Sequence, residues 1–355
     1  MTYKVDATTA KVEADVITAM NKLSTRTRAH AIWRATMDFQ EELPVINWFS
    51  HFPRLRTHLD EGRFPGEQRE AVKGLVRGPF CLFVSGRPGS GKTTLAVNIC
   101  LAAIEDGDKH VVWIAAQNRT VADAAHHLRD RQPNRVITRV HPWDAEMRAL
   151  LGEEKEPTPI AIDKNKANER CAKLPAFQNK ALNMAYRKSS AHHDPLSLSN
   201  RAKAIANTNR KKWSGYHAMC EQRKSDDGSF ETNIVANKET CRELLFEAAT
   251  RSHVLCGTPV AIVQLANHID PETKHFQVHL SIVDEAERLT ENLSFVPLSK
   301  FTNAPVIFLG DTKQHGPMAL ARNEAGYKDI FSEQRRMSLF KRAEMAGKHT
   351  IVLRG

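Results

Sequence analysis

A chain of 355 residues, 41% hydrophobic and 26% charged, is long enough to bury a sizeable core and to hold two or three domains. Its net charge of +10 favours polyanionic partners such as nucleic acid. No run approaches the roughly 20 apolar residues that span a bilayer, the N-terminus lacks a secretory apolar stretch, and the six scattered cysteines form no C-x-x-C pair. These features argue against a membrane, secreted or zinc-ribbon class, and set a reducing interior, cytoplasm or nucleus, as the expected location.

Residues 1–61 read as a mainly helical, amphipathic segment broken at Pro44 and Pro53, with no evident chemistry. From residue 62 the character changes, and apolar runs of strand length alternate with helical patterns, as in a parallel α/β layer. Phe80–Val84 reads as a buried strand, Thr93–Ala103 as the helix after it, Val111–Ile114 as a second strand and Val121–Leu128 as a second helix. Cys81, Cys100 and Cys256 sit in apolar runs and read as buried small hydrophobes. Residues 141–240 interrupt the rhythm, being polar and rich in Lys, Arg, Asn and Ser. Strands resume near Val254–Cys256, Leu280–Val283 and Val306–Leu309. The expected organisation is one RecA-like α/β domain over 62–140 and 241–355, with helices on both faces of a parallel sheet. Residues 141–240 then form an inserted basic, mainly helical subdomain.

Between the first strand and its helix lies Gly86-Arg87-Pro88-Gly89-Ser90-Gly91-Lys92-Thr93, which fits G-x-x-x-x-G-K-[ST]. The glycines let backbone N–H groups curl around phosphate oxygens, and the helix N-terminus adds partial positive charge. Lys92 would reach the β and γ phosphates, Thr93 would ligate magnesium, and Thr94 stands beside it in the first helical turn. ATP with Mg²⁺ is the expected ligand. Such a site needs an acid at the end of another buried strand, and Ser281-Ile282-Val283-Asp284-Glu285-Ala286 supplies one. Asp284 fits the metal role, directly or through bound water. Glu285 fits the base that polarises the attacking water.

The insertion carries twelve cations between Lys164 and Lys212 against two acids, Glu169 and Asp194. The run ends at Arg210, Lys211 and Lys212, and Trp213 and Tyr216 follow at once. One reading is a surface for single-stranded RNA or DNA, with the aromatics stacking on bases. The other is a solvated loop. His192-His193 with Cys171 or Cys220 matches no metal spacing.

Taken in order, several segments resemble the first RecA-like domain of superfamily 1 helicases, in the branch of the nonsense-mediated-decay helicase and senataxin. Phe64-Pro65-Gly66-Glu67-Gln68-Arg69-Glu70-Ala71-Val72 resembles the segment carrying the adenine-reading glutamine, which implies Gln68. Ile114-Ala115-Ala116-Gln117-Asn118 and Val254-Leu255-Cys256-Gly257-Thr258 resemble the strand-end motifs that touch the nucleic-acid backbone, which implies Asn118 and Thr258. Leu309-Gly310-Asp311-Thr312-Lys313-Gln314-His315-Gly316-Pro317 matches the G-D-x-x-Q-x-x-P type, in which Gln314 senses the γ-phosphate. Ser338-Leu339-Phe340 resembles the helix before the domain boundary. Each loose motif has a plainer reading: Gln68 as a surface helix residue, Asn118 as a helix cap, Gly257-Thr258 as a turn. The resemblance implies a nucleic-acid-dependent ATP hydrolase. Members of the branch continue into a second RecA-like domain, whereas this sequence ends at Gly355. The expectation is therefore half of a two-half motor, with the second domain acting in trans, or else a regulatory module that binds ATP without turning it over. An ATPase of another P-loop class, such as an AAA-type enzyme, is a third reading, opposed by Gln68 and Gln314.

Overall fold

The computed structural model describes residues 7–37, 41–107, 109–152, 191–225, 228–268, 276–317, 335–348 and 351–354. The chain divides into two compact units, Met1–Ile137 with Ser252–Gly355, and Thr138–Arg251.

In chain order the strands are β1 (Val45–Ile46), β2 (Gly78–Pro79), β3 (Cys81–Gly86), β4 (His110–Ala115), β5 (Ile137–Val140), β6 (Val254–Gly257), β7 (Val278–Asp284), β8 (Val306–Gly310) and β9 (Ile351–Leu353). β1 and β2 form a small antiparallel pair. The others build a seven-stranded sheet, in which the first unit holds the order β6-β4-β7-β8-β3-β9, and β5 lies where the chain passes to the second unit. In this sheet β3 pairs with β8 and β9, β4 with β6 and β7, and β7 with β8, each in parallel. Parallel strands covered on both faces need apolar side chains pointing both ways, and Cys81-Leu82-Phe83-Val84 and Val306-Ile307-Phe308-Leu309 are fully buried runs of that kind. Between β3 and β4 runs the helix Lys92–Glu105, buried from Leu95 to Ile104. A helix apolar nearly all round belongs inside a domain. Phe83 stacks on Phe308 at 5.2 Å and meets Phe340 edge-on at 6.0 Å, which fixes the helix Leu339–Met345 beside β3 and β8.

The N-terminal helices belong to this same unit. Val12, Val16 and Met20, spaced i, i+4, i+8 along Ala7–Asn21, are buried. That helix packs on Glu291–Ser294 and Val296–Lys300, and Thr290 Oγ1 donates to Glu13 at 2.8 Å. Trp48, fully buried, donates its indole N–H to the Pro79 carbonyl at 2.9 Å.

The second unit is helical where described beyond β5: Trp143–Leu151, Leu198–Thr208, Ser214–Ser225, Ser229–Thr232 and Ile234–Thr250. At its centre Asp194 accepts from Arg139 at 2.9 Å and pairs with His141 at 3.0 Å, all three buried. Glu146 accepts the His141 and Ser199 N–H groups. Buried charges persist only when satisfied in this way. Trp213 and Tyr216 are 6% exposed each, so both belong to the core of this unit and neither offers a stacking platform.

Candidate nucleotide site

In parallel strands the loops that follow leave at one common edge, where α/β sheets bind ligands. β7, β8 and β3 are neighbours, and their registers align Val283 with Phe308 and Ser85 with Gly310. The P-loop after β3, the acids ending β7 and the Asp311–Gln314 loop after β8 therefore leave the sheet side by side. β4 and β6 continue the same edge, with Ala115 opposite Asp284 and Ile114 opposite Gly257. Asn118 and Thr258 follow those two strands.

The P-loop is shaped by glycine. Gly89 and Gly91 have φ of +81° and +85°, where a side chain is strained. A Cβ at Gly86 would run into Ser90 Oγ and lie 2.7 Å from the Leu353 carbonyl. Lys92 Nζ donates to the carbonyls of Gly86 at 2.6 Å and Arg87 at 3.0 Å, so its ammonium lies along the loop. Thr93 is exposed and Thr94 partly so, both in the first turn of the helix that the loop opens. Gln68 is buried and donates Nε2–H to the Gly91 carbonyl at 3.2 Å, which counts against its plainer reading as a surface residue. Its acceptor Oε1 is buried without a partner, as is Ser90 Oγ. Buried polar atoms are rarely left unpaired. An orphan acceptor beside the P-loop suits a donor such as an adenine amine.

Asp284 is 7% exposed, and burial first, with the Glu285 charge added, pushes its carboxyl up to about 6 despite the Glu285 N–H bond and the Lys92 charge. That N–H reaches Asp284 Oδ1 at 3.0 Å. Glu285 has φ of +51°, unique among the described non-glycine residues. Such backbone strain concentrates at functional sites. Its Oε2 is buried without a hydrogen bond and lies 3.8 Å from Arg288 Nε. Magnesium bound with a nucleotide takes one or two protein oxygens, such as a carboxylate and a hydroxyl, and the rest from phosphate and water. Asp284 and Thr93 fit that ion.

Gln314 donates its backbone N–H to the Asp311 carbonyl at 2.9 Å and Nε2–H to Asp311 Oδ2 at 3.4 Å. It lines a cleft of about 350 Å³ with Glu287, Thr312, Arg336 and Lys341. Arg336 and Glu287 carry no sequence signal of their own. Arg336 lies just before the helix Leu339–Met345, and folding brings it into the cleft that Gln314 lines.

The profile of an AAA domain, of the superfamily 1 helicase type, matches residues 64–322, well over half of the chain. The chain belongs to that family. No curated protein matches it. The AAA domain therefore has a P-loop NTPase fold and an ATP-binding, helicase-like core, and no helix among its described residues is long and apolar enough to cross a membrane.

The residues expected to touch nucleic acid are placed as follows. Asn118 is exposed and opens the helix Asn118–Arg131. Thr258 Oγ1 accepts the Ala261 N–H at 3.4 Å, capping the helix Pro259–His268. In the second unit Lys211 is exposed, while Lys212 pairs with Glu247 and lies over the Trp213 ring at 5.2 Å. The seven cations from Lys164 to Lys188, and Cys171, lie outside the described residues. Among the described residues no His, Cys, Asp and Glu cluster could hold a metal through three such ligands.

Proposed function

We propose that this chain is the ATP-hydrolysing core of a superfamily 1 helicase, in the nonsense-mediated-decay helicase and senataxin branch, acting on single-stranded RNA or DNA. The observation that carries the reading is the placement of the P-loop, Asp284-Glu285 and Gln314 at the ends of three adjacent parallel strands, with, around them, buried polar atoms of Gln68, Ser90 and Glu285 that make no hydrogen bond. Gln68 would take the adenine edge, the loop amides and Lys92 the phosphates, and Gln314 the γ-phosphate. Glu285, held strained at the strand end, would orient and polarise the attacking water. Thr93 and Asp284 would hold magnesium, which neutralises charge on the phosphates. Arg336, in the Gln314 cleft, is a further cation for charge developing on the γ-phosphate. Asn118, Thr258 and Lys211 are the proposed nucleic-acid contacts. A second RecA-like domain closing over the nucleotide is a proposed partner.

Phosphate release should be measured with and without single-stranded RNA and DNA, using Glu285→Gln as the control. Turnover that nucleic acid stimulates and Glu285→Gln abolishes supports the reading. Tight ATP binding with no turnover under either condition favours a regulatory module instead.

A further inference from the structure

The proposed chemistry leaves one buried acid beside the site unused. Glu287 sits in the short turn Ala286–Arg288, 3% exposed, three residues beyond Asp284. Its Oε2 accepts the backbone N–H of Asp311 at 3.2 Å. The same oxygen lies so close to the chain that a Cβ on Gly310 would come within 2.8 Å of it, and within 3.0 Å of the Phe340 ring. From Asp311 the bonds run on. Its Oδ1 accepts the Lys313 N–H at 3.0 Å, its Oδ2 accepts from Gln314 Nε2 at 3.4 Å, and its carbonyl accepts the Gln314 N–H at 2.9 Å. Arg288 Nε stands 3.9 Å from the other carboxylate oxygen, Oε1.

We infer that Glu287 is a positioning residue, the strut that ties the acidic turn after β7 to the loop after β8 and so sets where Gln314 meets the γ-phosphate. The inference rests on the reading of the site as an ATP site. A buried carboxylate is costly, and an apolar residue of similar length would fill the space at less cost. What a carboxylate adds is an acceptor aimed at one N–H, on the residue that orients Gln314. The acidic turn and the γ-phosphate loop are then held as one piece, and a mispositioned sensor loses contact with the terminal phosphate while leaving the diphosphate cradle alone.

The test is the ratio of ATP to ADP affinity, read by displacement of a fluorescent nucleotide in magnesium. Glu287→Met keeps the volume and removes the acceptor. It should lower the preference for ATP about five- to tenfold, the worth of one hydrogen bond, with ADP affinity held within about twofold. Glu287→Gln keeps an acceptor and should retain the preference. Gly310→Ala, which drives a methyl against Glu287 Oε2, should reproduce the loss from the other side, and stands in for Glu287→Met if that protein does not fold. Gln314→Ala should lose the same preference, and its combination with Glu287→Met should lose no more. An unchanged ratio in Glu287→Met, an equal loss of both nucleotides, or additive losses in the double variant would each overturn the inference. A wild type that binds neither nucleotide overturns the ATP reading itself, and the inference with it.

Discussion

Asp284→Asn should make the metal-free protein more stable while removing its use of magnesium. The carboxyl is held at about 6 against an ordinary 3.8, chiefly by burial. At about 1.4 kcal/mol for each tenfold in proton affinity, the ionised group destabilises the folded state by up to about 3 kcal/mol at neutral pH. The sign follows from proton counting. The folded protein keeps this proton to a higher pH than the unfolded chain, so the group's contribution to stability falls as pH rises from about 4 to about 6, and stays lowered above. Asparagine has no charge to bury, and its Oδ1 still accepts the Glu285 N–H. Urea unfolding in EDTA, followed by tryptophan fluorescence and circular dichroism, should therefore show Asp284→Asn more stable than wild type by about 1–3 kcal/mol at pH 7.5. The difference should shrink towards zero near pH 4. Magnesium should tighten nucleotide binding to wild type and have little effect on the variant. Equal or lower stability of Asp284→Asn at pH 7.5, or a difference that does not change with pH, would show that burial of this carboxylate does not destabilise the fold.

Three further substitutions have expected outcomes. Gln68→Ala should weaken adenine nucleotides more than guanine ones in a competition titration, because the unpaired Oε1 accepts from an amine that guanine does not present there. In the second unit Lys211→Ala should weaken single-strand binding and reduce its log–log salt slope by about 0.7. Lys212→Ala should act mainly on stability, by less than about 1 kcal/mol, since that ammonium is already paired with Glu247.

What was legible in the sequence was whatever period and local spacing encode. Five strands of the sheet announced themselves as apolar runs, because strands buried on both faces have no polar side. β5 did not, since Thr138 and Arg139 fill its centre, and β9 is a three-residue edge strand whose Val352 is exposed. The P-loop, Asp284 and Glu285 were legible because each motif is contiguous and ends a strand. Glu287 and Arg336 were not, because their meeting with Asp311 and Gln314 depends on β7 lying beside β8 and on where the chain before Leu339 comes to rest. Trp213 and Tyr216 depart from the stacking expectation for a physical reason. Beside Lys211 and Lys212 they looked like a stacking surface, yet with Met219 they fall at i, i+3, i+6, the spacing of a buried helical face.

Whether the loop after β3 grips a nucleoside triphosphate is decided by titrating a fluorescent ATP analogue, with magnesium, into wild type and Lys92→Ala. The Lys92 ammonium is bonded to loop carbonyls of Gly86 and Arg87 rather than packed in the core, so the variant should fold normally by circular dichroism and lose most of its affinity. Equal binding by the two proteins would mean that the loop does not hold the triphosphate.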